Sequence, residues 1–287
     1  MLVILGYAVV LGSVFGGYGL MGGHFGALYQ PLEVLIIGGA AVGAFIAGND
    51  AKTIRATLKV LPTLLKKSKS HDKAQYMELL ALMFSLLSKG RKEGMMALES
   101  DVEDPKNSAI FSAYPHILED TPVLVFMTDY LRLVVSGSTD PHEIGELMEQ
   151  EMETYEHEGN IPAHSLTRVG DALPALGIVA AVLGVVHALA SADLPPAEMG
   201  QLIAHAMVGT FLGILLAYGF VSPLGTLIEH KVSHSLKVYE CIRVTLLASL
   251  NGYAPQLAVE FGRKVLLSTE RPSFAELESH VRDAKGR

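Results

Sequence analysis

No lysine or arginine occurs in residues 1–51 or 171–230, although the 287-residue chain carries 22 of them. Every one lies in 52–170 or 231–287. Inside the two cation-free blocks sit four apolar stretches, 2–21, 32–49, 172–190 and 201–224. A bilayer core is crossed by about 20 residues of helix at 1.5 Å rise, and these stretches match that length. The second is the shortest, its charge-free part 34–49 bracketed by Glu33 and Asp50, and the short turn 22–31 pairs it with the first. With half its residues hydrophobic, 18% charged and no Trp, the chain is more apolar than an ordinary soluble enzyme. A membrane protein with four spans is the reading these facts support.

The charge pattern also sets orientation, because loops rich in Lys and Arg stay cytoplasmic. The turns near 22–31 and 191–200 then face the periplasm, and both termini face the cytoplasm. The predicted organisation is a first transmembrane hairpin (1–49), a cytoplasmic helical domain (50–170), a second hairpin (171–225) and cytoplasmic C-terminal helices (226–287). Two further apolar runs, 73–89 and 120–136, contain Glu78, Asp129 and Arg132. Each such charge would cost about 2.5–3.5 kcal/mol at mid-membrane, so these are helices of a soluble bundle. The acidic segment 141–159 suits solvent. Alternating β-branched runs bounded by turns are absent, which makes the chain all-α. The fourth span is predicted to run past Pro223 through the amphipathic 226–250 as one long helix. Ser273 with Glu276 forms an S-x-x-E capping box that starts a final helix.

Composition excludes several functions. A formal net charge of −8 leaves no basic face for a phosphate backbone, so nucleic acid is not a partner. The single cysteine, Cys241, rules out an internal disulfide or a CxxC metal pair and reads as a buried small hydrophobe. Residues 1–31 lack the positive n-region of a cleavable signal. The glycines at 17, 19 and 22 match a dinucleotide fingerprint, but a turn follows where that motif needs a helix. No P-loop, HExxH or nucleophile elbow is present, and His142 opens HEIGE instead. An enzyme, a cofactor and a metal centre are not expected.

Within the spans, small residues recur at four-residue spacing: Gly12 and Gly16, Gly39 and Gly43, Gly177 and Ala181, Gly209 and Gly213. Such spacing lets backbones approach closely in lipid, so these helices associate within or between chains. Pro174 and Pro223 lie at the cytoplasmic ends of spans 3 and 4, where a missing N–H interrupts the helix ladder. The matched pair points to mechanical coupling. Coupling to an ion gradient uses an intramembrane acid, yet Glu33 and Asp171 sit only at span ends. An ion-driven protein of this sequence therefore needs a partner that supplies the acid. His187 and His205 lie near the periplasmic ends and read as structural.

Five segments carry a specific resemblance: GDALPALGIVAAVLGVVHALASAD, LIAHAMVGTFLGILLAYGFVSPL, NGYAPQLAVEFGRK, ERPSFAELE and RKEGMMALESDVEDP. They look like the MotA family of flagellar stators, with similarity along nearly the whole chain. The resemblance implies a multi-pass inner-membrane subunit, five copies of which surround a MotB dimer. MotB carries the ion-binding aspartate and a peptidoglycan anchor, and proton flow turns the rotor protein FliG. Carried over by position, Arg91 and Glu99 match rotor-contacting charges, and Glu151 a third charged position. Pro174 and Pro223 match two functional prolines, Asp171 the acid opening span 3, and Thr210 a threonine lining the ion path. Where sodium-driven relatives carry a threonine in span 3 this sequence has Ala181, which implies H+ as the transported ion. The alternative, an ExbB or TolQ type of energy-transducing subunit, shares only the core helices and has three spans; four spans with Arg91 and Glu99 favour the stator.

Overall fold

Residues 2–65, 72–137, 140–190, 193 and 195–285 are described in the computed structural model of the chain. The described residues form helices and connecting turns without a strand. In order these are α1 (Leu2–Leu20), the short α2 (Phe25–Leu28), α3 (Pro31–Ala47), α4 (Ala51–Leu65) and α5 (Lys73–Glu93). A 3-10 turn (Met95–Leu98) leads to α6 (Glu99–Glu103), α7 (Ala109–Ser112), α8 (Pro115–Glu119) and α9 (Thr121–Val135). Then follow α10 (Pro141–Ala190), α11 (Pro196–Leu216), a π-helical turn (Ala217–Val221), α12 (Ser222–Leu250), α13 (Pro255–Val265) and α14 (Phe274–Lys285). The expected all-α fold is what is observed. Four helical segments are long and apolar enough to cross a membrane: Leu2–Leu20, Phe25–Ala47, and stretches within Pro141–Ala190 and Pro196–Leu250. Of the second hairpin turn expected at 191–200, residues 191, 192 and 194 lie outside the described residues.

Chain contacts divide the molecule into two compact units, Met1–Ser68 with Glu158–His230, and Lys69–His157 with Lys231–Arg287. The membrane-type segments fall in the first. Its helices expose large apolar side chains such as Leu5, Val9, Val42, Val182 and Ile214, the surface a helix presents to lipid. Antiparallel contact between α10 and the α11–α12 rod organises this unit. A Cβ placed on Gly213 would stand 2.6 Å from the Leu173 carbonyl and 2.9 Å from Gly177 Cα, and one on Gly177 would stand 2.7 Å from the Gly209 carbonyl. The two backbones touch, and only glycine fits. Further along the same seam Gly184 meets Ala206, Gly170 meets Ser222, and Gly225 meets Thr167 and Ala163. The four-residue pairs of the sequence thus divide: Gly177, Gly209 and Gly213 pack inside the chain, whereas Gly12, Gly16, Gly39 and Gly43 have nothing within 4 Å. A seven-residue series, Ala163, Gly170, Gly177 and Gly184, is the fuller signature of the seam.

The second unit has an ordinary hydrophobic core. Tyr76, Leu79, Leu80, Leu82, Met83, Leu86 and Leu87 of α5 are buried among Phe126 and Met127 of α9, Ile242 and Leu246 of α12, and Val259 of α13. The runs expected as bundle helices, 73–89 and 120–136, are its buried centre. Asp72 closes a capping box with Gln75 at the start of α5. Ser273 and Glu276 close the expected one on α14, with Ser273 N–H donating to Glu276 Oε2 at 2.7 Å. Lys73 donates to Glu276 Oε1 at 2.7 Å, and these bonds hold the Glu276 carboxyl down to about 2. Cys241 is fully buried, as its sequence context implied. A Cβ on Gly262 would overlap Thr245 Oγ1 and lie 3.1 Å from the Cys241 carbonyl, so α13 also rests directly on α12.

Two expected outcomes follow from this packing. Gly213→Ala costs about 1–3 kcal/mol by overpacking a backbone contact that cannot retreat, and it lowers the melting temperature of the full chain in detergent. Gly12→Ala and Gly43→Ala leave that temperature unchanged. In the second unit, Asp101→Ala removes the acceptor of two bonds from a site with little solvent access, from Lys89 at 2.7 Å and Ser108 at 2.6 Å. A loss of about 1–3 kcal/mol is expected, with a smaller loss for Asp101→Asn, read as the same melting shift.

Candidate functional site

The residues singled out from the sequence gather in two places. Arg91, at the end of α5, and Glu99, at the start of α6, are both exposed in the second unit. Between them Gly94 takes φ 93, a conformation L side chains rarely adopt, and the chain folds back so that Met95 and Leu98 press on Gly90. Beneath this bend Lys89 is ion-paired to Asp101, and the Ser108 hydroxyl donates to Asp101 while capping α7. Lys89 is two residues from Arg91 and Asp101 two from Glu99. The inner pair ties the segments together, and the outer pair stays in solvent with no ion partner among the described residues. Asp101 was not recognisable as a support from the sequence, because it looked like one acid in an acidic run.

Glu151, on the exposed face of α10, accepts a hydrogen bond from Tyr130 Oη at 2.6 Å. Burial, and secondarily this carboxylate, push the Tyr130 hydroxyl well above its usual range. The two flank an open groove of about 560 Å³ shared with Asp129, Arg132, Leu133, Leu147, Gln150 and Thr154.

The remaining five residues lie along the glycine seam of the first unit. On α10 they are Asp171, exposed, then Pro174 and Ala181, the last a contact point one turn beyond Gly177. On the opposite rod Thr210 Cα would be 3.3 Å from a Cβ on Gly177, and the Ala181 backbone nitrogen 3.2 Å from one on Gly209. Thr210 and Ala181 therefore belong to the same crossing. Lower down, Gly170 and Ser222 meet, directly beside Asp171 and Pro223 respectively. Neither proline ends its helix. Pro174 lies inside α10, and Pro223 lies at the start of α12 directly after the π-helical turn. A proline leaves the carbonyl one turn back without its N–H donor, and the ladder here has shifted to wider spacing. Tyr7 Oη of α1 donates to the Phe220 carbonyl within that turn at 2.8 Å, and its ring packs at a tilt on the Phe220 ring at 4.8 Å between centroids. Tyr7 carries no sequence signal for this role, as its partner is over two hundred positions away.

Glu33 lies in the first turn of α3, at the span end expected of it. It is buried, on the same face of α3 as Ile37 and Ala41. That stripe at positions i, i+4 and i+8 packs on α11, and its spacing was visible in the sequence.

Residues 4–94 match the Motility protein A N-terminal family, and residues 119–241 match the MotA/TolQ/ExbB proton channel family. The chain is 61% identical over 282 residues to Motility protein A of Salmonella typhimurium, covering 98% of this chain and 95% of that protein. It is 60% identical to Motility protein A of Escherichia coli, covering 99% and 96%. Among solved structures it is similar to the flagellar MotAB stator complex from Bacillus subtilis, with TM-score 0.72, 26% identity, and 90% and 92% coverage. The C. jejuni MotAB structure shares the fold, with TM-score 0.76, 24% identity, and 94% and 98% coverage. The match of the first two spans to the N-terminal family favours the stator over an ExbB or TolQ subunit. With its four apolar spans, the chain is an inner-membrane protein that belongs to the Motility protein A family of flagellar stator subunits, within the MotA/TolQ/ExbB proton channel family.

Proposed function

We propose that five copies of this chain surround a dimer of a MotB-type partner and convert proton flow into force on the rotor protein FliG. The observation that carries the reading is the division of labour between the two units. One holds the spans and the Thr210–Ala181 crossing, and the other holds out Arg91 and Glu99 on a bend pinned by Lys89 and Asp101. The partner supplies the ion-binding acid and the peptidoglycan anchor. Both termini and the block 52–170 face the cytoplasm, since every Lys and Arg lies in 52–170 or 231–287.

The coupling residues fit this role physically. Pro174 and Pro223 sit inside helices that continue from the spans into the second unit's sequence. Each removes one ladder bond where bending is then easiest. Arg91, Glu99 and Glu151 act by charge at the rotor contact, where exposed pairs are individually worth about 0.2–1 kcal/mol. Neutralising one of them is expected to reduce swimming only partly. Arg91→Glu is expected to reduce it further, and an opposite reversal on the rotor to restore it. Failure of every rotor reversal, with normal protein levels, would overturn the contact.

Protons are the driving ion. A dehydrated Na⁺ needs several oxygen ligands, and leaving polar groups unpartnered costs about 1–3 kcal/mol each. Ala181 offers no side-chain oxygen at the crossing where Thr210 lies. Swimming should persist in sodium-free medium and stop when a protonophore collapses the proton gradient. Motility that tracks external sodium and survives the protonophore would overturn the assignment.

A further inference from the structure

Glu33 and Asp101 are the two acidic side chains among the described residues that are more than nine-tenths buried, at 8% and 7% exposure. Their surroundings are opposite. Asp101 has Lys89 and Ser108 at hydrogen-bond distance, whereas Glu33 Oε2 is buried with no hydrogen-bond partner. No Lys or Arg exists anywhere in 1–51 or 171–230 to neutralise it. A carboxylate oxygen stripped of water and partners is costly in an apolar contact, and taking up a proton there removes that cost.

The contact is shaped around the carboxyl. A Cβ on Gly209 would fall on Glu33 Oε2, and one on Gly184 would stand 3.6 Å from Oε1. Two glycines, one from each wall of the α10–α11 seam, leave the space that the carboxyl fills. Gly209 immediately precedes Thr210, and its other neighbours are Ala180 Cβ and the Ala181 backbone. Below Glu33 the face of α3 is apolar, with Ile37 and Ala41 buried. The short α2, which like α3 packs on α11, has no titratable group. The titratable side chains nearest the contact glycines are His187, three residues beyond Gly184, and His205, four residues before Gly209.

We propose that Glu33 is a proton-binding group of this chain, placed at the Gly184–Gly209 slot beside Thr210, in addition to the acid that the partner supplies. The step is a simple exchange: a hydronium ion gives its proton to Glu33 Oε2, an O–H bond forms there, and water leaves. The reverse step returns the proton to water along the Thr210 face. The conduction role rests on the stator reading above; the proton-binding role rests on the slot alone.

The test uses the full-length chain expressed with its partner in a strain lacking both. Glu33→Gln keeps the shape and removes the acid. It is expected to reach the membrane at the normal level and to slow tethered-cell rotation several-fold, most severely at alkaline pH, while Glu33→Asp retains most of the speed. Infrared difference spectra of the wild-type complex in lipid are expected to show a protonated carboxyl C=O band that Glu33→Gln lacks. Wild-type rotation by Glu33→Gln at every pH, or an unchanged infrared band, would overturn the proposal. Should Glu33→Gln fail to accumulate, the band is assigned by its shift in Glu33→Asp, and no shift overturns the proposal equally. A wild-type complex that drives no rotation yet shows the Glu33 band would sink the stator reading while upholding the proton site.

Discussion

The direct backbone contact between Gly177 of α10 and Gly209 and Gly213 of α11 is the constraint on which the membrane unit depends. Lipid tails are as apolar as leucine, so burying apolar side chains against one another gains little there. What remains is dispersion at short range, and that requires backbones to touch. The seam runs antiparallel through Gly184 with Ala206, Gly177 with Gly209 and Gly213, Gly170 with Ser222, and Ala163 with Gly225. Each residue assigned to the ion path or its coupling is on this seam or one to three positions from a contact point. In the proposed stator role packing and conduction share the same small residues, since the groups that permit close approach leave Thr210, Ala181 and Glu33 as the side chains proposed to meet a passing ion.

The second unit is built on the opposite principle. Its core is held by burial of leucine, methionine and aromatic side chains around α5, where each fully buried side chain contributes about 1.5–3 kcal/mol relative to exposure. That stability lets the surface carry charges that make no internal bond. Arg91 and Glu99 stand in solvent because Lys89 and Asp101 do the holding beneath them. The rotor contact proposed for Arg91 and Glu99 would gain from this arrangement, since an exposed charge can change partners, while a buried pair deprived of one member would destabilise the fold.

Between these regimes the helices tolerate irregularity. Pro162 and Pro174 lie inside α10, and the π-helical turn precedes Pro223 in the α11–α12 rod. Each is a defect that an isolated helix would resolve by breaking, and here neighbouring contacts retain it. Tyr7 satisfies the Phe220 carbonyl at the π-helical turn, so a weakened ladder and a partner for it are supplied by different parts of the chain.

Span number, helical content, the helices at 73–89 and 120–136, the α14 capping box and the burial of Cys241 were all legible in the sequence. They depend on local composition and on periods of 3.6 residues, which neighbours along the chain report. The seven-residue series through Gly170, Gly177 and Gly184 was legible too, though the four-residue pairs masked it. Which glycines touch another helix was decided only by the tertiary structure, because Gly12 and Gly213 are identical in sequence terms and differ solely in what stands opposite. The same holds for Tyr7 at Phe220, for Asp101 beneath the charged bend, and for Glu33. A carboxylate three residues into a helix looks like a span-end charge until the opposing helices are in place. Its isolation is a property of Gly184 and Gly209, over a hundred and fifty positions away, and short-range patterns carry no information about such partners.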